Sequence, residues 1–263
     1  MPELPDVETF KRYLSSTALH QRIDAVEARD CRILKGISRQ KIKKELRGRS
    51  FESTSRHGKY LFVRTDVDRS VVFHFGMTGY LRYFKDLEND PDHDRLLITF
   101  DNGYHLAFVC QRLLGGIYLT DSKEDFIRMK QLGPDALRID FETFHDMLAG
   151  KRGSIKPAFL DQRFIAGIGN MYADEILFQS GVHPRQQLNR LSGEEKKKIF
   201  LVMQRILRIA VKHRAVTGKS PHSYLIRHRK EGVPCPRCGS DVRRFTIASR
   251  STYFCPRCQG RRS

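Results

Sequence analysis

In CPRCGSDVRRFTIASRSTYFCPRC, residues 235–258, two C-x2-C knuckles, Cys235/Cys238 and Cys255/Cys258, stand sixteen residues apart. Two thiolates two residues apart can face one ion, and a second pair closes a tetrahedral shell, so the spacing predicts one structural Zn2+. Between the knuckles, DVRRFTI and STYF read as two strands turned at Ala248, Ser249 and Arg250, which places Arg250 at a hairpin tip. On spacing alone two roles stay open for this unit. It could simply staple the C-terminus, with Arg250 a solvated charge, or it could face phosphate, since it also carries Arg237, Arg243, Arg244, Arg257, Arg261 and Arg262.

Upstream of the knuckles the pattern is helical: FETFHDML, KPAFLDQRF, NMYADEILFQSG and EEKKKIFLVMQRILRIAVKH. The second of these is expected to end near Arg163, and Ala166-Gly167-Ile168-Gly169 then forces tight turns before Asn170. Asn170 suits an N-cap. Alternatively, the glycines let backbone amides at the helix start approach a phosphate, with Lys156 a turn upstream.

Before the turn-rich Gly133-Pro134, the signals are short apolar runs: KYLFVRT, SVVFHF, YLRYF, RLLITF, YHLAFV and GGIYLT. Strands at such close spacing imply a sandwich or barrel. Ahead of them, Val7, Phe10, Leu14 and Leu19 share one helical face behind Pro5 and Asp6. The basic run from Lys35 to Arg49 reads as a solvated helix face, Lys59 as an edge-strand guard and His74 as a satisfied sheet histidine, by default. The domains expected are 1–132, a helix on a β-sandwich; 133–230, helical; and 231–263, the zinc hairpin.

Composition narrows the partner. Lys+Arg 48 against Asp+Glu 30 leaves a net charge of +18, which calls for a polyanion, nucleic acid ahead of an anionic membrane surface. No run approaches the ~20 apolar residues of a spanning helix, and no signal peptide precedes the first helix, so the expectation is a soluble intracellular protein with reduced thiols. Cys31 and Cys110, outside the knuckles, read as small buried hydrophobes.

Five segments in this order, Pro2-Glu3-Leu4-Pro5-Asp6-Val7-Glu8, HGKYL around Lys59, HFGMTG from His74, Ile168-Gly169-Asn170 and the C-terminal SRSTYFCPRCQ, closely resemble the formamidopyrimidine-DNA glycosylase and endonuclease VIII family. The likeness runs over nearly the whole chain. It implies an α+β enzyme of two domains: an N-terminal helix with a β-sandwich, then a helix-two-turn-helix domain carrying a zinc-ribbon β-hairpin, with DNA bound in the cleft between. It implies a bifunctional DNA glycosylase and abasic-site lyase of base excision repair, working as a monomer on damaged double-stranded DNA in the cytoplasm, at the nucleoid in a prokaryote.

The resemblance also assigns residues. With Met1 removed, the Pro2 amine attacks C1′ and forms a Schiff base, and β,δ-elimination then cuts the strand; Glu3 shuttles protons. Lys59 assists catalysis and binds phosphate, and Arg250 contacts phosphates and serves the second elimination. Asn170, Lys156 and Arg152 are expected at phosphates, and His74, His93 and Arg112 at DNA. Met77, Arg112 and Leu114 would fill the gap left by the flipped nucleotide.

Two departures bear on the lesion. Where members reading oxidised guanine usually show D-P-R-R-F-G, this chain has Cys110-Gln111-Arg112-Leu113-Leu114-Gly115. The segment AVTGKSPHSYLIRHRKEGVP, Ala215 to Pro234, is shorter than the loop that closes over 8-oxoguanine in those members. Ring-opened purines, hydantoins or oxidised pyrimidines are therefore expected ahead of 8-oxoguanine. The competing expectation is a non-catalytic damaged-DNA-binding protein on the same scaffold.

Overall fold

In the computed structural model, which describes residues 1–260, contacts divide the chain into two units. Met1–Pro2 and Asp6–Lys130 form the first, and Glu3–Pro5 with the chain from Gln131 onward form the second. Arg261 and Arg262 lie outside the described residues.

The first unit is a sandwich of two antiparallel sheets. One has the order β1 (Ile23–Ala28), β6 (Asp94–Phe100), β7 (His105–Val109), β5 (Tyr80–Phe84). The other has the order β2 (Phe51–His57), β3 (Tyr60–Thr65), β4 (Ser70–His74), β8 (Gly116–Thr120). Alternation decides which side chains share the interior: Leu96, Ile98 and Phe100 of β6 join Leu61, Val63, Val71 and Phe73 of the other sheet in one core. Leu97, on the opposite face of β6, clusters instead with Phe84, Ala107 and Val109.

Helix α1 (Leu4–Thr17) buries Val7 and Leu14 in the sandwich core, and Phe10 meets Phe75 at 4.4 Å between ring centroids. Helix α2 (Arg39–Leu46) occupies the basic run and buries Ile42 and Leu46, so only one of its faces is solvated. A further helix, α3 (Lys123–Met129), covers the outer face of the second sheet, where Phe126 packs on Phe62 and Val72. That cover explains why KYLFVRT is apolar at successive positions rather than alternating.

In the second unit, α4 (Phe141–Leu148), α5 (Ile155–Leu160), α6 (Asn170–Ser180) and α7 (Gly193–Lys212) enclose a single apolar core that includes Leu4. Helix α7 starts at a capping box made by Ser192 and Glu195. Helix α6 is buried nearly all round, acids included, and ends at Gly181 with φ 73°. Helix α5 stops at Leu160, short of the expected Arg163. Strands β9 (Arg243–Ile247) and β10 (Arg250–Phe254) form the C-terminal hairpin. Its turn is two residues long, Ala248 and Ser249, and Arg250 opens β10 instead of completing the turn.

Cys110 is buried as expected, but Cys31 is exposed, at the start of a short 3-10 turn outside the sheets. No helix among the described residues is long and apolar enough to cross a membrane.

Candidate active site and nucleic-acid interface

The glycine turn before α6 closes on the N-terminal segment. The Glu3 carboxylate accepts N–H bonds from Gly169 at 2.7 Å, Met171 at 2.9 Å and Tyr172 at 3.4 Å. Those are orphan donors of the first turn of α6, so an acid 166 positions earlier supplies the cap. A Cβ on Gly169 would sit 2.3 Å from Glu3 Cδ, and one on Gly167 would sit 2.6 Å from Leu4 Cδ1. The Leu4 N–H also donates to the Gly167 carbonyl at 3.0 Å. Glu3 is 2 % exposed, and Pro2, its neighbour in sequence, is half-buried.

The N-cap role expected of Asn170 is therefore not taken. Gly169 is the cap residue, and Asn170 is the first residue of the helix. Asn170 Nδ2 donates to the Ser251 carbonyl of β10 at 2.9 Å, while its Oδ1 is buried without a hydrogen-bond partner. Arg250, next to Ser251, is exposed, as is Arg152 in the loop before α5.

Lys156 requires a larger correction. Expected at a phosphate, it is wholly buried, with Nζ 2.5 Å from Asp174 Oδ1, 2.8 Å from Thr252 Oγ1 and 3.5 Å from the Ser251 carbonyl. Burial pushes the ammonium down and the Asp174 carboxyl up, and the attraction between them opposes both shifts. A lysine with its donors engaged inside the fold has none to offer DNA.

In the first unit, Lys59 occupies the two-residue turn Gly58-Lys59 between β2 and β3, not the strand itself, and is 9 % exposed. Arg56 anchors that turn: its Nη1 donates to the Gly58 carbonyl at 3.1 Å and its Nε to Glu8 of α1 at 3.0 Å. Burial works to raise the Glu8 pKa, but bonds from Lys11 and Arg56 outweigh it and hold the group below its ordinary value. His74 pairs with Tyr60 across β4 and β3, ring centroids 4.9 Å apart. Burial first, then the charges of Lys59 and Lys130, push it down to about 4, so it is a neutral imidazole at physiological pH.

Two loops bear the expected wedge. Met77 and Leu114 are exposed apolar side chains, 37 % and 52 %. Gly76, at φ 60°, permits their loops to touch, since a Cβ there would lie 2.5 Å from the Leu114 carbonyl carbon. Arg112 is exposed on the same loop. His93 is exposed at φ 63°, its carbonyl accepting from Cys110 N–H at 3.0 Å. Arg95 donates to the Cys110 carbonyl at 3.2 Å and lies 3.4 Å from His93 Nδ1, so one guanidinium braces both loops.

Cys235, Cys238, Cys255 and Cys258 bring their sulfurs within 4.8 Å of one another, with separations of 3.5 Å and 3.9 Å between two of the pairs. Tetrahedral Zn–S bonds of ~2.3 Å place sulfurs about 3.8 Å apart, so the cluster fits one structural zinc ion. Bonds from Ser240 hold Cys238 down to about 6, whereas burial and then the other sulfurs push Cys258 up. A divalent cation relieves that conflict, because it lets crowded thiolates coexist.

A sandwich fronted by a helix, a helical domain whose glycine turn grips an N-terminal acid, and a four-cysteine hairpin together define a DNA-repair glycosylase scaffold. The comparisons agree along the chain. The Formamidopyrimidine-DNA glycosylase N-terminal domain matches residues 1–117, the Formamidopyrimidine-DNA glycosylase H2TH domain 132–221, and the zinc finger found in FPG and IleRS 232–260. The formamidopyrimidine-DNA glycosylase of Solibacter usitatus is 35% identical over 277 residues, spanning 99% of this chain and 100% of the relative. That of Mycoplasma mobile is 32% identical over 275 residues, spanning 98% and 99%. A complex of Lactococcus lactis Fpg with N7-benzyl-Fapy-dG DNA superposes with a TM-score of 0.88 at 31% identity, over 99% of this chain and 100% of that one. Its complex with DNA containing an abasic site gives 0.88 at 30%, over 98% and 100%. The chain belongs to the formamidopyrimidine-DNA glycosylase family.

Proposed function

We propose that the protein is a bifunctional DNA glycosylase and abasic-site lyase of base excision repair, with Pro2 as nucleophile and Glu3 as proton shuttle. The observation that carries this reading is the fixed carboxylate: Glu3 is held by three amides at the start of α6, one residue from Pro2. Once Met1 is removed, Pro2 presents a secondary amine; α-amino groups have a reference pKa of about 7.7–8.0, leaving a useful neutral fraction. That amine attacks C1′, the C1′–N bond to the damaged base breaks, and the base leaves with a proton. Glu3 protonates the ring oxygen, which opens the sugar and leaves an iminium on C1′.

The iminium is an electron sink. Loss of a C2′ proton expels the 3′ phosphate, and loss of a C4′ proton then expels the 5′ phosphate; water releases the sugar remnant and restores the amine. Lys59, placed by Arg56, assists at the lesion phosphate, and Arg250 serves the second expulsion. Asn170 and Arg152 hold phosphates, while a neutral His74, His93 and Arg112 contact the strand. Met77, Arg112 and Leu114 fill the gap of the flipped nucleotide; Leu114 in place of an aromatic still gives an apolar wedge. The net charge of +18 supports duplex DNA as partner; the proposed working form is a monomer in the cytoplasm, at the nucleoid in a prokaryote. Ring-opened purines lead as substrates: Fapy-dG DNA is the ligand of a Lactococcus lactis Fpg complex with a TM-score of 0.90, and Leu113-Leu114 and the short segment 215–234 weigh against 8-oxoguanine.

Borohydride trapping on abasic-site duplex tests the reaction. Wild type is expected to form a covalent adduct, Pro2→Gly much less, and a protein with a blocked N-terminus none. Tight binding without any adduct would instead identify a non-catalytic damage-binding protein.

A further inference from the structure

We propose that Lys156 and Asp174 are a positioning pair that sets β10, and with it Arg250, in register with the Glu3-capped end of α6, and so governs the second strand cleavage. The inference rests on the reading of Arg250 as the residue of the second elimination.

Within the hairpin the tip is held by the strand ladder and by Arg244, which donates to Ser251 Oγ at 3.1 Å. Two strands alone hold register weakly, and the turn uses Ala248 at φ 46° and Ser249 at φ 58°, a left-handed pair that favours Asn-Gly over these residues. The four cysteines secure the opposite end of the hairpin. Further registration at the tip comes from below. Lys156 Nζ donates to Thr252 Oγ1 at 2.8 Å, and Thr252 Oγ1 donates to the carbonyl of Arg250 itself at 3.4 Å. The Ser251 carbonyl accepts from Lys156 at 3.5 Å and from Asn170 at 2.9 Å. Asp174, wholly buried on α6, receives Lys156 on one oxygen; on the other it receives both Arg229 nitrogens, at 2.9 and 3.2 Å, and the Tyr253 N–H at 3.3 Å.

Buried ions are a costly way to hold two elements together, and an apolar pair would do so at least as well. What they add is intolerance of error. A slip of β10 by one residue would take the Thr252 hydroxyl and the Ser251 carbonyl from the buried ammonium and the Tyr253 N–H from the buried carboxylate. Because α6 carries Asp174 and receives Glu3 at its first turn, one helix fixes the proton shuttle and the arginine strand together.

The test uses abasic-site duplex DNA and resolves the product of β-elimination from that of β,δ-elimination. Lys156→Met keeps the Asp174–Arg229 pair and removes only the ammonium contacts. Thr252→Val removes the relay to Arg250, and Thr252→Ser restores its hydroxyl. For Lys156→Met and Thr252→Val, the adduct yield and zinc content are expected to stay at wild-type levels while the β,δ to β ratio falls roughly tenfold, as for a displaced reacting group. Thr252→Ser is expected to recover the ratio. If Lys156→Met fails to fold, the two Thr252 variants decide the matter. An unchanged ratio in Thr252→Val beside a normal wild-type adduct overturns the positioning role alone; no adduct with the wild type overturns it together with the proposed reaction.

Discussion

Three backbone amides on one carboxylate leave Glu3 almost no rotational freedom, and its neighbour Gly169 is where that constraint can be probed. The backbone of Gly169, at φ −121° and ψ −165°, is open to any residue, so alanine is excluded by space alone: its Cβ would lie 2.3 Å from Glu3 Cδ. Gly169→Ala is expected to swing Glu3 off the helix start, losing about 1–3 kcal/mol in unsatisfied amides. Base excision should fall by about 10²-fold or more if Glu3 moves the proton. Thermal unfolding and single-turnover excision check the two effects, and a full excision rate would contradict the assignment of Glu3. Sequence alone could not join these residues, because 166 positions separate them; an acid beside the N-terminal proline and a Gly-x-Gly before a helix were its only traces. Lys156 was misread for a related reason. In so basic a chain a lysine defaults to solvent or phosphate, and its partner is one of two adjacent acids, Asp174 and Glu175, on a helix buried nearly all round.

At the scale of elements, helix α6 carries a second buried acid. Glu175 accepts from Gln179 at 2.8 Å and from the Ile226 N–H at 2.7 Å, which ties the segment after α7 to the helix. Burial raises its pKa from 4.5 to about 7, against the lowering effect of those bonds. Between those values the native state binds a proton that the unfolded chain has released. Its contribution to stability is therefore complete below about 4.5 and lost as pH rises toward 7. Glu175→Gln cannot titrate, so its stability relative to wild type should rise from pH 5 to pH 8 in urea unfolding. A constant difference would contradict the shifted carboxyl.

The hairpin depends on its metal in the same way. Cys255→Ser is expected to lower both zinc retention and affinity for abasic-site DNA, measured by metal analysis and titration. Full affinity in a zinc-free protein would contradict a structural role. The cysteine spacing made this element legible, and the apolar runs disclosed β3 to β8. Strand β2, FESTSRH, carries little signal because every residue but Phe51 is polar, and β1, IDAVEA, because two acids and two alanines leave only Ile23 and Val26 as large apolar positions. Helix α3, KEDFIRM, escaped too, with Phe126 as its single buried anchor.

Over the whole molecule, composition indicated the partner and motif order indicated the family, whereas the side chains that hold the Lys59 turn, the His93 loop and β10 became visible only in three dimensions. Arg56 joins the Lys59 turn to Glu8, 48 positions away, Arg95 joins His93 to Cys110, 15 positions from the arginine, and Lys156 joins Asp174 to Thr252, 96 positions from the lysine. None belongs to a motif of its own. The central claim is that the N-terminal secondary amine, freed of Met1, is the atom that joins the DNA. The most direct measurement is peptide mapping by mass spectrometry of the borohydride-trapped complex with abasic-site DNA. The reduced sugar remnant is expected on the N-terminal peptide, on Pro2, with Met1 absent; an adduct on Lys59 or any other lysine, with Pro2 unmodified, would contradict Pro2 as nucleophile.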